Sequence, residues 1–187
     1  MITTRRDEIN QVDFYKPHLV ILGAGASLAA LPDGDKNGKR IPLMNNLIKV
    51  LDLEKFLVSH GINFYGDNFE DLYSSLYDDP HKINLCSELE NNIYNYFSSL
   101  ELPEKSTIYD YLILSLREKD VIATFNWDPF LIQALRRNRI GIKPPRILFL
   151  HGNVMSGYCL KDNVAGVSGN RCSICKRPLQ NSKHTVQ

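Results

Sequence analysis

The sequence contains no long hydrophobic run and no leader-like segment at its beginning. No stretch approaches the roughly 18 consecutive apolar residues that a membrane-spanning helix needs. The opening residues, MITTRRDEINQVDF, lack the apolar core of a signal peptide. We therefore expect a cytoplasmic protein with no membrane segment.

The chain also lacks an excess of charge of either sign. Its 22 Lys and Arg residues nearly balance 21 Asp and Glu residues, and the formal net charge is +1. Domains that bind nucleic acid or anionic membranes through long-range attraction carry a basic excess or a basic stripe. We therefore expect no direct nucleic-acid partner, and a zinc-ribbon nucleic-acid binder is disfavoured.

Apolar runs of strand length alternate with helical patterns along the chain. The runs at 17–22, 120–125 and 146–150 predict strands, and the first is expected to be buried on both faces. Helical periodicity occurs at 43–58, 69–77, 83–100, 106–117 and 129–138. This alternation is typical of an α/β fold in which crossover helices join the strands of a parallel sheet.

The predicted fold is therefore a Rossmann-like α/β domain with a small appendage. A chain of 187 residues is long enough for one hydrophobic core. We assign residues 1–157 to the Rossmann-like domain, with a helical insertion at about 50–118. Residues 158–187 form a separate C-terminal cysteine module.

Polar or glycine residues follow each predicted strand. These segments are Gly23-Ala24-Gly25-Ala26-Ser27, Asn126-Trp127-Asp128 and His151-Gly152. In open parallel sheets, ligands bind at the carboxyl ends of the strands. The three segments are therefore the candidate binding and catalytic residues.

Each of these segments also has a purely structural explanation. The Gly-x-Gly turn can serve packing as well as a phosphate, and the dehydrogenase fingerprint fails because its third glycine falls on Leu28. Asp128, which precedes Pro129, is as suited to capping a helix as to contacting a ligand. Asn126 has no such structural task, and the imidazole of His151 can accept a proton near neutral pH.

The order of these motifs resembles that of a known family. GAGAS at 23–27, TFNWD at 124–128, LHG at 150–152 and the cysteine module follow one another as they do in sirtuins. The chain resembles more closely the bacterial SIR2-like domains of NAD-consuming defence proteins. The match extends over residues 18–180, although most of residues 50–118 are unaligned.

The resemblance implies a role for each matched residue. Asn126 matches an asparagine that contacts the nicotinamide ribose and orders a water molecule, and Asp128 matches an aspartate near the nicotinamide amide. His151 matches the general base. The loop that contacts the phosphates of NAD⁺ in the family matches Gly23, Ala24, Gly25 and Ser27.

The activity that the resemblance implies is cleavage of the bond between nicotinamide and ribose in NAD⁺. The leading expectation is an NAD glycohydrolase (NADase), an activity that the family uses in antiphage defence. Two alternatives stay open: a non-catalytic or truncated module that binds a nucleotide or a partner protein, and an NAD-dependent protein deacylase. Either a homo-oligomer or a defence-system partner protein would be consistent with the family.

The sequence departs from the family pattern at two places. Sirtuins continue the glycine loop with Pro-Asp-Phe-Arg, whereas Pro32-Asp33 is followed here by the glycine-rich, basic segment 34–40, expected to be a mobile lid or a solvated loop. The later strands of the family, which complete the adenosine half of the NAD site, have no counterpart before Gln187. We therefore expect either a fragment or an incomplete nucleotide site.

Three of the four cysteines lie close together near the C-terminus. Cys172 and Cys175 have the C-x-x-C spacing of a zinc knuckle, and Cys159 is a suitable third ligand. Asp162 stands where a second C-x-x-C pair would have its other cysteine, and His184 is a more distant candidate for the fourth ligand. A structural zinc ion is expected; a metal-free loop and a redox pair stay open as alternatives.

Overall fold

The computed structural model describes residue 4 and residues 16–64, 66, 68–139, 141 and 143–181. The helices in these ranges are Ala24–Ala30 (α1), Leu47–Val50 (α2), Glu54–Ser59 (α3), Phe69–Tyr77 (α4), Ile83–Ser98 (α5), Ile108–Ser115 (α6) and Phe130–Arg137 (α7). The strands are Leu19–Leu22 (β1), Val121–Thr124 (β2), Arg146–Phe149 (β3), Ser156–Cys159 (β4), Val164–Val167 (β5) and Gln180–Asn181 (β6). The prediction of a mixed α/β protein is confirmed.

The first three strands form a parallel sheet in the order β1-β2-β3. Leu22 pairs with Thr124, and Thr124 pairs with Phe149, so the strands end at the same level. Because all three strands run in one direction, the residues that follow them meet at one edge of the sheet. The parallel sheet that the three apolar runs predict is therefore present.

One face of this sheet is open to solvent beside β1. Leu19 and Ile21 are 63% and 65% exposed, whereas Val20 and Leu22 pack against the core. The prediction that this strand is buried on both faces is wrong. Right-handed crossovers in the order β1-β2-β3 place their helices on one face of the sheet only, and an apolar run in the sequence does not show whether the other face is covered.

The segment between β1 and β2 supplies most of the hydrophobic core. Helix α5 buries Leu85, Leu89, Ile93 and Phe97 along one side, as the periodicity of 83–100 predicts. The single helical pattern at 43–58 instead forms two short helices, α2 and α3. They are separated at Asp52, whose φ of 53° lies in the left-handed region and interrupts the helix.

The glycine-rich segment after α1 is exposed at most of its positions and is held at one buried carboxylate. Asp35 is 6% exposed and accepts backbone hydrogen bonds from Asn37 and Lys39 at 2.8 Å and from Glu101 at 3.0 Å. A buried carboxylate that accepts several N–H groups holds its loop in one conformation. The segment is therefore a fixed turn attached to the end of the helical insertion.

The C-terminal strands form a small antiparallel sheet in the order β5-β4-β6. It has its own small core, in which Cys159, Cys172 and Leu179 are buried. The sheet begins at Ser156, one residue before the predicted end of the Rossmann-like domain. In the part of the chain that the structure describes, no helix has the length and hydrophobicity needed to cross a membrane.

Candidate functional site

A cavity of about 340 Å³ lies at the carboxyl ends of the parallel strands. Its polar wall includes Gly23, Ala24, Asn126, Asp128 and His151 from the three strand ends, together with Glu70 from α4. Its apolar wall includes Ile41, Met44, Phe97 and Trp127. The three predicted segments therefore meet in one cavity, which we call the strand-end cavity.

Ser27 lies beneath this cavity and not on its wall. The residue is fully buried, and its hydroxyl donates a hydrogen bond to Asp128 Oδ2 at 2.6 Å. The same Ser27 Oγ lies 2.7 Å from Tyr109 Oη and accepts from Asn126 Nδ2 at 2.9 Å. Ser27 therefore connects the end of β1 to the end of β2.

The donors and acceptors in this buried network fix the orientation of the Asn126 amide. An ionised carboxylate only accepts, so Ser27 uses its single proton toward Asp128. Tyr109 must then donate to Ser27, and the Asn126 NH₂ group donates to Ser27 and, at 3.3 Å, to Tyr109 Oη. The remaining atom, Asn126 Oδ1, is buried and has no hydrogen-bond partner within the described residues.

An unpartnered buried carbonyl oxygen is costly, so its position here is informative. Leaving such an atom unsatisfied costs about 1–3 kcal/mol. Asn126 is 7% exposed and lines the strand-end cavity. A ligand that presents a hydroxyl or amide hydrogen to this oxygen would remove the cost.

Asp128 is held in an unfavourable electrostatic environment. Burial raises its pKa to about 6, although hydrogen bonds from Ser27 and from the backbone N–H of Phe130 partly oppose the shift. The contact with Phe130 N, at 3.3 Å, places the carboxylate at the start of α7. The N-cap of α7 is Pro129, one residue later than predicted, so Asp128 contacts the helix start from outside the cap position. Its contact with a ligand stays a prediction.

The glycines of the first segment leave open space beside the backbone. A Cβ atom added to Gly23 or to Gly25 would meet nothing within 4 Å. Gly23 has φ −118° and ψ 178°, a conformation that any residue can adopt. Neither packing nor backbone conformation requires glycine at these two positions, and the space beside them is open.

His151 is exposed at the edge of the strand-end cavity. Its ring packs edge-on against Phe125, with the ring centroids 5.0 Å apart and the planes at 80°. Phe125 directly follows β2, so a residue at the end of β2 packs against His151 at the end of β3. An imidazole in this position can exchange a proton with a molecule in the cavity.

Tyr109 is the main residue of the site that sequence patterns do not reveal. It comes from helix α6 of the insertion and is 2% exposed. A tyrosine on an apolar helix face is an ordinary core residue by its sequence, and only the fold brings its hydroxyl beside Ser27 and Asn126. Arg40, in the basic segment after α1, is not part of the cavity wall.

The cysteine module brings together four candidate metal ligands. Cys159, Asp162, Cys172 and Cys175 each offer a ligand atom, and these atoms all lie within 4.8 Å of one another. The Sγ atoms of Cys159 and Cys175 are 3.6 Å apart. Tetrahedral zinc with Zn–S bonds of about 2.3 Å places its sulfur ligands about 3.8 Å apart, so this spacing fits a bound ion.

Asp162 takes the position of the fourth ligand in this group. Its Oδ2 accepts from the thiols of Cys172 at 3.2 Å and of Cys159 at 3.4 Å. The thiols of Cys175 and Cys172 lower the pKa of Asp162, which keeps the carboxylate ionised. The other fourth-ligand candidate, His184, lies outside the described residues. The group could therefore hold a metal ion, in agreement with the predicted structural zinc.

No protein-family model matches this chain, and no curated protein is significantly similar to it.

Proposed function

We propose that the strand-end cavity binds the nicotinamide-ribose half of NAD⁺ and that the protein cleaves the bond between nicotinamide and ribose. The proposal joins the SIR2-like order of motifs to one observation, the unpartnered Oδ1 of Asn126, a residue that lines the cavity. That oxygen needs a hydrogen-bond donor, and a ribose hydroxyl or a carboxamide NH₂ group supplies one. The open backbone at Gly23 and Gly25 supports the proposal, since phosphates bind where side chains are absent.

The reaction requires few groups from the protein. The bond between ribose C1′ and the nicotinamide nitrogen breaks, its electron pair leaves with nicotinamide, and the ribose becomes oxocarbenium-like. Water then attacks C1′, and His151 accepts the proton that the water loses. Asn126 holds the reacting ribose, and Asp128 places negative charge next to the developing cation.

The buried network makes Asn126 suitable for this positioning. Its NH₂ group is held by Ser27 and Tyr109, so Oδ1 cannot rotate away without losing two hydrogen bonds. A side chain that is fixed before the ligand arrives loses little entropy when the ligand binds. The electrostatic cost of ionised Asp128 falls when a positively charged ring or ribose lies beside it.

The size of the cavity favours a second candidate, a module that binds a nucleotide without cleaving it. A volume of about 340 Å³ lies at the lower end of the roughly 300–1,000 Å³ typical of small-molecule sites. It suits a nicotinamide riboside portion better than a whole dinucleotide. A site that holds only part of NAD⁺ loses some of the positioning that catalysis requires.

Incubation with NAD⁺ tests the two candidates. Hydrolysis releases nicotinamide and ADP-ribose in equal amounts, which chromatography quantifies, whereas a binding module raises the melting temperature with NAD⁺ or ADP-ribose but releases nothing. A deacylase would release nicotinamide only when an acylated peptide is present. If neither turnover nor a thermal shift occurs, both candidates are wrong.

Matched variants assign the roles within the site. His151→Ala should lower nicotinamide release by about 100-fold or more, the typical contribution of a general base. Asn126→Ala should lower it by a similar factor of about 100, because the ribose is no longer positioned. His81→Ala is the control, since this exposed histidine lies in a short turn between α4 and α5. Activity that survives both site substitutions would refute the assigned roles.

We also propose that the cysteine module holds one structural zinc ion. Cys159, Asp162, Cys172 and Cys175 would complete a closed tetrahedral site with no open position for a substrate. Such a site contributes to folding and takes no part in cleavage. The ion would fix the small sheet that follows β3 in the chain.

A further inference from the structure

A second cavity adjoins the strand-end cavity and has a different chemical character. Its volume is about 270 Å³, and it lies between α4, α5 and the residues after β2 and β3. Its main lining residues are Phe69, Glu70, Tyr73, Glu90, Trp127 and His151. We call it the acidic aromatic cavity; Glu70, Trp127 and His151 line both cavities.

Three aromatic residues line this cavity, and Phe69 contacts both of the others. The ring centroids of Phe69 and Tyr73 are 5.8 Å apart, and those of Phe69 and Trp127 are 6.4 Å apart at nearly a right angle. The π faces of aromatic rings attract organic cations, those of tryptophan most strongly.

The two carboxylates of the cavity have no cationic partner. Among the described residues, neither Glu70 nor Glu90 forms a salt bridge; Glu90 accepts a hydrogen bond from the Tyr73 hydroxyl. Carboxylates beside aromatic walls form a region of negative potential in a partly enclosed space. This arrangement favours a cation over a neutral or anionic ligand of the same shape.

We propose that the acidic aromatic cavity is a binding site for a small organic cation of the quaternary ammonium class. The charged head lies against the rings of Trp127 and Tyr73, near Glu70 and Glu90. Trp127 and His151 line both cavities, so a ligand here would lie beside one in the strand-end cavity. The inference does not depend on cleavage of NAD⁺.

Choline and its neutral isostere 3,3-dimethylbutanol test this inference in the full chain by calorimetric titration, with no NAD⁺ present. Choline should bind saturably, and the neutral alcohol should bind at least about fivefold more weakly, the value of one cation–π contact. Glu90→Gln keeps the acceptor for Tyr73 and should lower the affinity for choline about fivefold. Trp127→Phe should do the same.

Glu88→Gln is the matched control, since Glu88 lies on the same helix, is exposed and faces His60 instead of the cavity. Choline affinity should not change in this variant. Equal binding of choline and the neutral alcohol, or unchanged choline affinity in both Glu90→Gln and Glu70→Gln, would overturn the proposal. Because the readout is binding alone, loss of NAD⁺ cleavage would leave this result unaffected.

Discussion

The amide nitrogen of Asn126 lies 2.9 Å from the hydroxyl oxygen of Ser27, across 99 residues of sequence. This contact joins the ends of two neighbouring parallel strands beneath the strand-end cavity. It makes Ser27 a positioning residue for Asn126 and Asp128, in place of the direct phosphate contact that the resemblance implies. Substitutions around this contact therefore separate positioning from packing.

Tyr109→Phe should weaken the site while leaving the fold intact. The variant removes one hydroxyl that donates to Ser27 and accepts from Asn126, and its ring stays in the core. We expect a loss of about 1 kcal/mol in the free energy of unfolding. Nicotinamide release should fall about tenfold, mainly through kcat, because Asn126 is held less firmly.

Tyr111→Phe on the same helix is the control for this substitution. Tyr111 is 63% exposed, and exposed substitutions of this kind usually change stability by less than about 0.5 kcal/mol. Denaturant unfolding and initial rates measure both effects. An equal loss of activity in the two variants would show that Tyr109 has no special role.

Gly25→Ala should make the protein more stable and less able to bind nucleotide. Gly25 lies in α1, where alanine is favoured over glycine by about 0.5–1 kcal/mol, and its Cβ would meet no atom within 4 Å. The same methyl group would occupy the space in which we expect a phosphate. A titration should therefore show at least about tenfold weaker binding of ADP-ribose.

Gly157→Ala gives the opposite result and serves as the comparison. Its Cβ would lie 2.7 Å from Ser168 Cα and 2.9 Å from Leu179 Cβ, so we expect a loss of about 1–3 kcal/mol from overpacking. Gly157 is in β4, outside the cavity wall. If Gly25→Ala instead destabilises the protein or binds ADP-ribose normally, the glycine is not reserved for a ligand.

The sequence predicts the positions of the strand ends well because each apolar run stops at glycine or at polar residues. It also predicts α4 and α5, whose buried residues recur at helical spacing. It does not predict Tyr109 as part of the site, because that contact depends on how the insertion folds back over the sheet. Nor does it predict the fixed turn around Asp35, whose bond to Glu101 joins residues 66 apart.

Two other local features depend on backbone conformation and hydrogen bonds that sequence patterns do not show. The apolar spacing at 43–58 is helical throughout, but Asp52 adopts a positive φ and separates α2 from α3. At the start of β2, Asp120 accepts from the backbone N–H groups of His18 and Arg117, and these bonds, chiefly that of His18, lower its pKa to about 2. An aspartate before a strand has many uses, and its partners cannot be predicted from sequence spacing.

The proposed zinc site should give a cobalt(II) spectrum that identifies its ligands. Cobalt(II) bound in place of zinc should show the absorption of a tetrahedral site with three thiolates. Asp162→Cys should add a fourth thiolate and increase the sulfur-to-cobalt charge-transfer band. Asp162→Ala should lower the affinity for zinc by at least about tenfold.

Lys161→Ala, at the neighbouring exposed position, should change neither the spectrum nor the affinity. Cys172→Ser should remove most of the charge-transfer band and lower the melting temperature, because structural zinc binding is coupled to folding. A four-ligand spectrum that is unaltered in Asp162→Ala would show that another residue supplies the fourth ligand.

Asp128→Asn should raise stability at neutral pH and abolish much of the activity. The folded-state pKa of Asp128 is about 6, above the value of about 3.9 for an unfolded aspartate. Between these values the folded protein holds a proton that the unfolded chain has lost, so stability from this residue falls as pH rises from about 4 to about 6. The amide of the variant has no charge to bury. As pH rises from about 4 to about 7.5, the free energy of unfolding of the variant should increase by about 3 kcal/mol relative to wild type.

The activity change follows from the hydrogen bonds, and a second carboxylate supplies the control. With an amide in place of the Asp128 carboxylate, an NH₂ group faces Ser27, and the Ser27 proton then turns toward Tyr109. The hydroxyl proton of Tyr109 loses its acceptor, and the negative charge beside the reacting ribose is lost. The pKa of Asp110 shifts in the opposite direction. Burial opposes its ionisation, but hydrogen bonds from Arg137 and Thr107 hold its pKa well below the usual range. Asp110→Asn should therefore lose stability relative to wild type as pH rises from acid to neutral. Urea unfolding at several pH values measures both differences, and a parallel pH dependence for the two variants would refute the assignment of Asp128 as a strained carboxylate.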